Sequence, residues 1–332
     1  MFEGFANVWT PVFLARKLKK KPLPVMLAGE KLVFFRDAQG VANALFDRCP
    51  HRGVALSLGK VTPGGCLECP FHAWQFDGKG QAVHVPLNPD AKRERLFAHS
   101  VPVRELGGVI WAYTAAVAEA PSEPTVPDAL TMKGVALTFL QLEWKAHWSR
   151  AMENMLDSPH VPFLHASTIG RFVRPYLKPD SRMDIEWEDT PYGGRTSSTI
   201  DERTEAGAAL DFYKPNMMVL HIPIPGKVFR MHAFCVPVDD THVRMLIIGA
   251  RSFATLSWLN PVFNHSNAKI AEQDRAVVES SFPVQVPRPG DEVSVRTDKA
   301  TLQFRKYYFA ELHGSSSQPR VGRPAAEEPP GP

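Results

Sequence analysis

Cys49-Pro-His51 and, seventeen residues further on, Cys69-Pro-Phe-His72 are the stretches whose reading decides the fold. Two thiolates and two imidazoles at this spacing suit a [2Fe–2S] cluster with one iron on sulfur ligands and the other on nitrogen ligands. Replacing two cysteines by two histidines raises the reduction potential far above that of an all-cysteine cluster. A competing reading is a zinc site made of Cys66-x-x-Cys69 with Cys49 and His51. It leaves His72 unexplained. Pairing Cys49 with His51 and Cys69 with His72 gives two equivalent couples, one per loop, and makes Cys66 a packing residue. The chain is therefore expected to handle electrons one at a time.

Around these loops the sequence reads as short strands. Residues 32–36, 41–46 and 109–113 are apolar runs bounded by Gly and Asp, and Gln75-Phe-Asp-Gly78 with Gly80 marks a turn. That pattern argues for a small all-β unit over 1–116. Residues 117–127 are rich in Pro and small residues and read as a linker. From 128 to 313 strand-like runs (217–222, 228–236, 242–250) mix with helical ones (148–158, 264–280), an α+β pattern. The tail, 314–332, has almost no bulky apolar residue and is expected to be disordered.

Composition sets bounds. A chain of 332 residues allows two domains, and 44% apolar with 22% charged residues is ordinary for a globular protein. A formal charge of +3 gives no support for a nucleic-acid partner. The densest basic run, Arg16-Lys17-Leu18-Lys19-Lys20-Lys21, reads either as a solvated loop or as a docking patch for an acidic electron donor or an anionic lipid surface. With two of the four cysteines claimed by the cluster, no disulfide framework remains, which points to a reducing compartment. Neither a secretory leader pattern nor a long apolar run appears, so a cytoplasmic protein without a membrane span is expected.

A second constellation lies about a hundred residues downstream. The segment 152–165 carries Asn154, Asp157, His160 and His165. Asp157 and His160, three apart, share a helical face. His160 and His165, five apart, diverge on a regular helix, but Pro159 and Pro162 disfavour its continuation and let the chain bend His165 back. Two imidazoles and one carboxylate complete a facial triad that leaves positions open for O₂ at Fe(II). Asp274 is the candidate carboxylate. It lies on the stripe of Ile270, Val277 and Val278, where a buried charge is costly unless a hydrogen bond or a metal relieves it.

Cys49-Pro-His-Arg-Gly53 and Cys69-Pro-Phe-His-Ala-Trp74 resemble the cluster motifs of Rieske non-haem iron oxygenases, with Ala73 where that family usually has Gly. Asn154-x-x-Asp157-x-x-His160-x4-His165 resembles their catalytic-iron motif, and Gln273-Asp274-Arg275 their carboxylate-bearing helix. The resemblance covers about 300 residues. It implies a Rieske domain followed by a catalytic domain whose antiparallel sheet is flanked by helices. Cys49, His51, Cys69 and His72 would bind [2Fe–2S], and His160, His165 and Asp274 would bind Fe(2+), with Asn154 supporting the iron ligands. Asp157 would bridge His72 of one subunit to His160 of another within a head-to-tail homotrimer.

The function so implied is that of a terminal oxygenase fed by a separate NAD(P)H-dependent reductase, with or without a ferredoxin. It would hydroxylate or oxidatively dealkylate an apolar or aromatic substrate. Monooxygenation is favoured by analogy; ring cis-dihydroxylation and desaturation are the alternatives. From another class, a pure Rieske electron carrier would need no second site. Met217, Met218, Leu220, Ile222 and Phe234 read either as a substrate pocket or as ordinary core.

Overall fold

The computed structural model describes residues 1–2, 4–201, 209–288 and 290–313. The first part of the chain forms short strands: β1 (Trp9–Leu14), β2 (Leu23–Leu27), β3 (Glu30–Arg36), β4 (Ala42–Phe46), β5 (Lys60–Val61), β6 (Leu67–Glu68), β7 (Gln75–Phe76), β8 (Ala82–His84), β9 (Ser100–Val101), β10 (Val103–Leu106) and β11 (Val109–Tyr113). They pair as antiparallel sheets β1-β11-β10, β2-β3-β4-β9 and β5-β6-β7-β8. Strand β3 is buried on both faces, and period-two alternation divides its side chains between two cores. Leu32 and Phe34 face one, while Val33 and Phe35 join Leu45, Leu67 and Phe76 in the other, which also contains Cys49 and Cys69. The turn after β7 is set by Asp77, whose Oδ1 accepts from the amides of Lys79 and Gln81.

Residues 117–127 carry no strand or helix and run along the first sheet, where Trp9 Nε1 donates to the Ser122 carbonyl at 2.7 Å. Next come β12 (Ala136–Trp144), α1 (Trp148–Leu156), α2 (Val161–Leu164), β13 (Met183–Thr190), β14 (Gly193–Ile200), β15 (Ala209–Tyr213), β16 (Met217–His221), β17 (Phe229–Pro237), β18 (Val243–Arg251), α3 (Asn260–Val278) and α4 (Lys299–Tyr307). The seven strands form one antiparallel sheet in the order β12-β18-β17-β16-β15-β14-β13.

Alternation along the central strands separates two faces. Ala233, Cys235, Met218 and Met245 pack against α1, α3 and α4. Met217, Phe234, Leu246 and Ile248 face the other way, into a core shared with Trp111, Val12 and Leu130. There Trp111 meets Phe234 edge-on at 6.0 Å, and Arg244 Nη1 donates to the Val12 carbonyl at 3.3 Å. The all-β unit therefore backs the sheet, and the helices cover its front.

Two expectations change. Met217 and Phe234 turn to the back of the sheet while Met218 and Leu220 turn to the front, so these pocket candidates do not line one cavity. On α3 the buried companions of Asp274 are Ala271 and Val278, whereas Val277 is 47% exposed. The stripe is rotated because small Ala271, not branched Ile270, is the residue that lets the helix approach the sheet. The sequence reading passed over β12–β15 and α4, and the tail 314–332 lies outside the described residues. No helix among those residues is long and apolar enough to cross a membrane.

Two candidate metal centres

The two candidate ligand loops are built alike. In the first, the Cys49 amide donates to Val54 O at 2.8 Å and the Gly53 amide returns to Cys49 O at 2.9 Å. In the second, the Cys69 amide donates to Trp74 O at 2.8 Å and the Ala73 amide returns to Cys69 O at 3.1 Å. Gly53 and Ala73 hold the same place, four residues after the cysteine, and both take positive φ, +72° and +53°. Ala73 thus keeps the left-handed backbone that glycine adopts freely, at some steric cost.

Both cysteines are buried, while His51 is half-buried and His72 exposed. The imidazole rings lie 4.7 Å apart, and Trp74 stacks on His51 at 4.7 Å with an interplanar angle of 2°. Burial, reinforced by Cys69, pushes the Cys49 thiol up to about 11. Nδ1 of His51 is buried with no hydrogen-bond partner. Two buried thiols side by side and an orphaned imidazole nitrogen fit a [2Fe–2S] cluster, whose cationic irons stabilise the thiolates. Cys66 belongs instead to the turn at 62–66, where its amide donates to Thr62 Oγ1 at 3.1 Å.

The second centre forms where a helix breaks. α1 stops at Leu156, and Asp157 is extended, with φ −87° and ψ 109°. The chain resumes as the single turn of α2, with His160 at its start and His165 at its end. Pro162 fits the first turn because a proline there forfeits no intrahelical bond. As a result the two imidazoles sit edge to face, centroids 5.1 Å apart. α3 brings in Asp274, and one ligand atom from each of His160, His165 and Asp274 falls within 4.8 Å of the others.

Polar partners orient both rings. His160 Nδ1 meets Asp157 Oδ2 at 2.9 Å, and His165 Nδ1 meets Gln273 Oε1 at 3.0 Å. The Nε2 atoms converge on Asp274 Oδ1, at 3.7 Å from His160 and 3.1 Å from His165. That oxygen is buried and lacks a hydrogen bond of proper geometry. Burial alone would lower the His165 pKa, but Asp274 and then Gln273 outweigh it and hold the ring above its ordinary value. An orphaned carboxylate oxygen between two imidazole nitrogens fits a divalent cation, which would take the place of the proton there. Asn154, in the last turn of α1, leaves Nδ2 buried without a partner. Gln273 is the polar partner that sequence reasoning missed. Its contacts, Ser167 at 3.3 Å, Thr168 at 3.0 Å and His165, lie more than a hundred residues away in the chain.

Comparison with known proteins agrees with this geometry. The Rieske [2Fe-2S] domain family matches residues 8–102, and the vanillate O-demethylase oxygenase C-terminal domain family matches residues 144–310. A 4beta-methylsterol monooxygenase from Methylococcus capsulatus is 35% identical over 280 residues, covering 77% of this chain and 72% of its own. The methylxanthine N1-demethylase NdmA of Pseudomonas putida is 28% identical over 331 residues, 95% of this chain and 92% of its own. The solved structure of NdmA superposes with a TM-score of 0.79 at 25% identity, covering 93% of this chain and 91% of that one. Other relatives are longer: the aligned part is 37% of a 3-chlorobenzoate-3,4-dioxygenase oxygenase subunit from Comamonas testosteroni and 40% of a chlorophyllide a oxygenase from Chlamydomonas reinhardtii. With a cluster domain and an oxygenase domain matched in order, this chain belongs to the Rieske non-haem iron oxygenases, enzymes whose cofactors are a [2Fe–2S] cluster and a mononuclear iron.

Proposed function

We propose that this chain is the terminal oxygenase of a multicomponent system and acts as a monooxygenase or demethylase on an apolar or aromatic substrate. In this reading Cys49, His51, Cys69 and His72 bind the cluster, and His160, His165 and Asp274 bind the iron. The observation that carries it is the convergence of two Nε2 atoms on the orphaned Asp274 Oδ1. When bound, the cluster supplies one-electron transfer and the iron supplies O₂ activation. The residues around them do the positioning. Asp157 and Gln273 set the two imidazoles, and the depth of Asp274 and His165, 5% and 2% exposed, keeps bulk water from these ligands.

Asp157 keeps 29% of its side chain exposed beyond its bond to His160. It is thus available to a neighbouring copy, whose exposed His72 would close a hydrogen-bonded link between cluster and iron in a homotrimer. Exposed apolar residues at both ends of that link, Phe71 at 59% and Phe163 at 71%, suit such a contact. Electrons would come from a separate NAD(P)H-dependent reductase, with or without a ferredoxin. Attack on a methyl group is supported by two relatives whose names specify a methylsterol and a methylxanthine.

The test combines metal analysis with turnover. About three irons per chain are expected, and His160→Ala should keep the cluster's visible absorption while abolishing product formation with a surrogate reductase. Full turnover in that variant would overturn the iron assignment. Asp157→Ala should retain both metals yet reduce the catalytic site slowly; rapid reduction would remove the bridge. Product analysis separates hydroxylation and dealkylation from cis-dihydroxylation or desaturation.

A further inference from the structure

We infer that Gln273 is a positioning residue for the iron centre: it selects the tautomer of His165 and locks that ligand to the helix that carries Asp274. The inference rests on the reading of His160, His165 and Asp274 as the metal ligands. Consecutive residues on a helix point about 100° apart. Asp274 therefore faces the two imidazoles while Gln273 faces the segment after α2. There its Oε1 meets His165 Nδ1 at 3.0 Å and accepts from Thr168 Oγ1 at 3.0 Å, and its Nε2 donates to Ser167 Oγ at 3.3 Å. Thr168 Oγ1 also lies 3.2 Å from the His165 carbonyl. One turn of α3 thus supplies one ligand and holds the ring of another.

The chemistry follows from the acceptor. A histidine bonded to a metal through Nε2 must carry its proton on Nδ1, and an acceptor at Nδ1 favours that form over the other. Gln273 Oε1 is that acceptor for His165, as Asp157 is for His160. The two supports differ in charge: His160 is backed by a carboxylate and His165 by a neutral amide. Asp157 and Asp274 already place two carboxyl groups beside the proposed dication site. A carboxylate at 273 would make three and leave both histidines strongly electron-donating.

The experiment uses protein holding its cluster, with the mononuclear iron removed by mild chelation, titrated with Co(II) by calorimetry and followed by the electron paramagnetic resonance of the bound cobalt. Gln273→Leu removes the acceptor and should weaken Co(II) binding roughly 10–100-fold. Gln273→Glu keeps an acceptor, and should bind at least as tightly as wild type with a shifted resonance. If the amide only clamped Ser167 and Thr168, Gln273→Leu would lower the thermal midpoint and leave the affinity unchanged, which overturns the inference. Loss of affinity in Gln273→Glu equal to that in Gln273→Leu would also overturn it, because Nδ1 would then be facing a donor. A wild type that takes up no Co(II), or whose uptake survives His165→Ala, would instead sink the ligand assignment beneath it.

Discussion

Replacing Asp211 by Asn should destabilise the catalytic unit without touching either metal centre. Asp211 lies on β15 between Leu210 and Phe212, which face the helices, so its own side chain points to the back of the sheet. It is 2% exposed and accepts from Arg195 Nε at 2.6 Å, Arg195 Nη2 at 2.9 Å and His221 Nε2 at 2.7 Å. Burial works to raise its pKa, but the Arg195 and then the His221 bonds outweigh it and hold the carboxyl at about 2. Set against the ordinary aspartate value of roughly 3.9, that corresponds to about 2.5 kcal/mol at neutral pH. Arg195 is 46% exposed, so solvent screens part of the attraction; a loss of about 2 kcal/mol is the better expectation. For a unit of this size it lowers the unfolding midpoint by roughly 4–8 °C. The pH dependence has a definite sign. A carboxyl depressed on folding stabilises above its unfolded pKa and loses that contribution as pH falls through its folded value. Calorimetric scans of wild type and Asp211→Asn should therefore differ by the same amount from pH 5 to 8, and the gap should close only below about pH 4. Iron content and visible absorption should not change. A deficit under about 0.5 kcal/mol, or one that is already lost within the range pH 5 to 8, refutes the reasoning.

Two substitutions probe the cluster loops. Ala73→Gly relieves a left-handed alanine at a gain of about 1–2 kcal/mol, less about 0.5–1 kcal/mol of added chain entropy, so a small rise in the temperature of cluster bleaching is expected. A clear fall would show that the methyl group packs usefully. Gly59→Ala should act far more strongly, since an added Cβ would lie 1.9 Å from the carbonyl oxygen of Glu68, the residue before Cys69. Iron and acid-labile sulfide per chain should drop well below half of wild type; normal cluster content would mean that β5 and β6 part without moving the ligand.

Legibility differed between the centres and the fold around them. The cluster loops are local, so spacing, the Gly53 and Ala73 positions and the flanking strands are all visible within twenty-odd residues. Grouping His160, His165 and Asp274 needed a long-range step, taken from the prolines, a buried-face argument and the family resemblance of Gln273-Asp274-Arg275. The face was found but its companions were misjudged, because Ala271 carries little weight in an apolar pattern although it packs closest. α4 was overlooked despite Ala300, Phe304 and Tyr307 at i, i+4 and i+7. β13 was overlooked although Met183, Ile185 and Trp187 alternate with Asp184, Glu186 and Glu188, the period of a half-buried strand. β14 was harder, for a physical reason: Gly193-Gly-Arg-Thr-Ser-Ser-Thr-Ile200 has no bulky apolar residue before Ile200, so its sequence carries no apolar alternation. Gly194 is explained only by the assembled sheet, where Trp187 lies over it and leaves no room for a side chain.

The proposed iron centre depends on interrupted structure at one side and continuous structure at the other. Had α1 run on through 157–165, His160 and His165 would be separated by five residues, about 140° around the axis, and could not share a metal. The break after Leu156 and the single turn of α2 remove that divergence while preserving the i,i+3 reach from Asp157 to His160. The backbone bonds of this segment are short-range, such as Val161 N to Ser158 O at 3.2 Å and Leu164 N to His160 O at 2.8 Å. Its tie to the rest of the fold comes from α3, one nineteen-residue helix packed on the sheet through Ala271 and Val278. Asp274 and Gln273 extend from that helix to His165 from two directions, while Asp157 holds His160 from within the segment. Each imidazole is therefore fixed by a different element. A shift of α3 moves the carboxylate and the His165 support together but leaves the Asp157–His160 pair in place. That division ties the half of the site facing α3 to the core of the sheet, and leaves the half nearer the surface, where Asp157 is 29% exposed, without that tie.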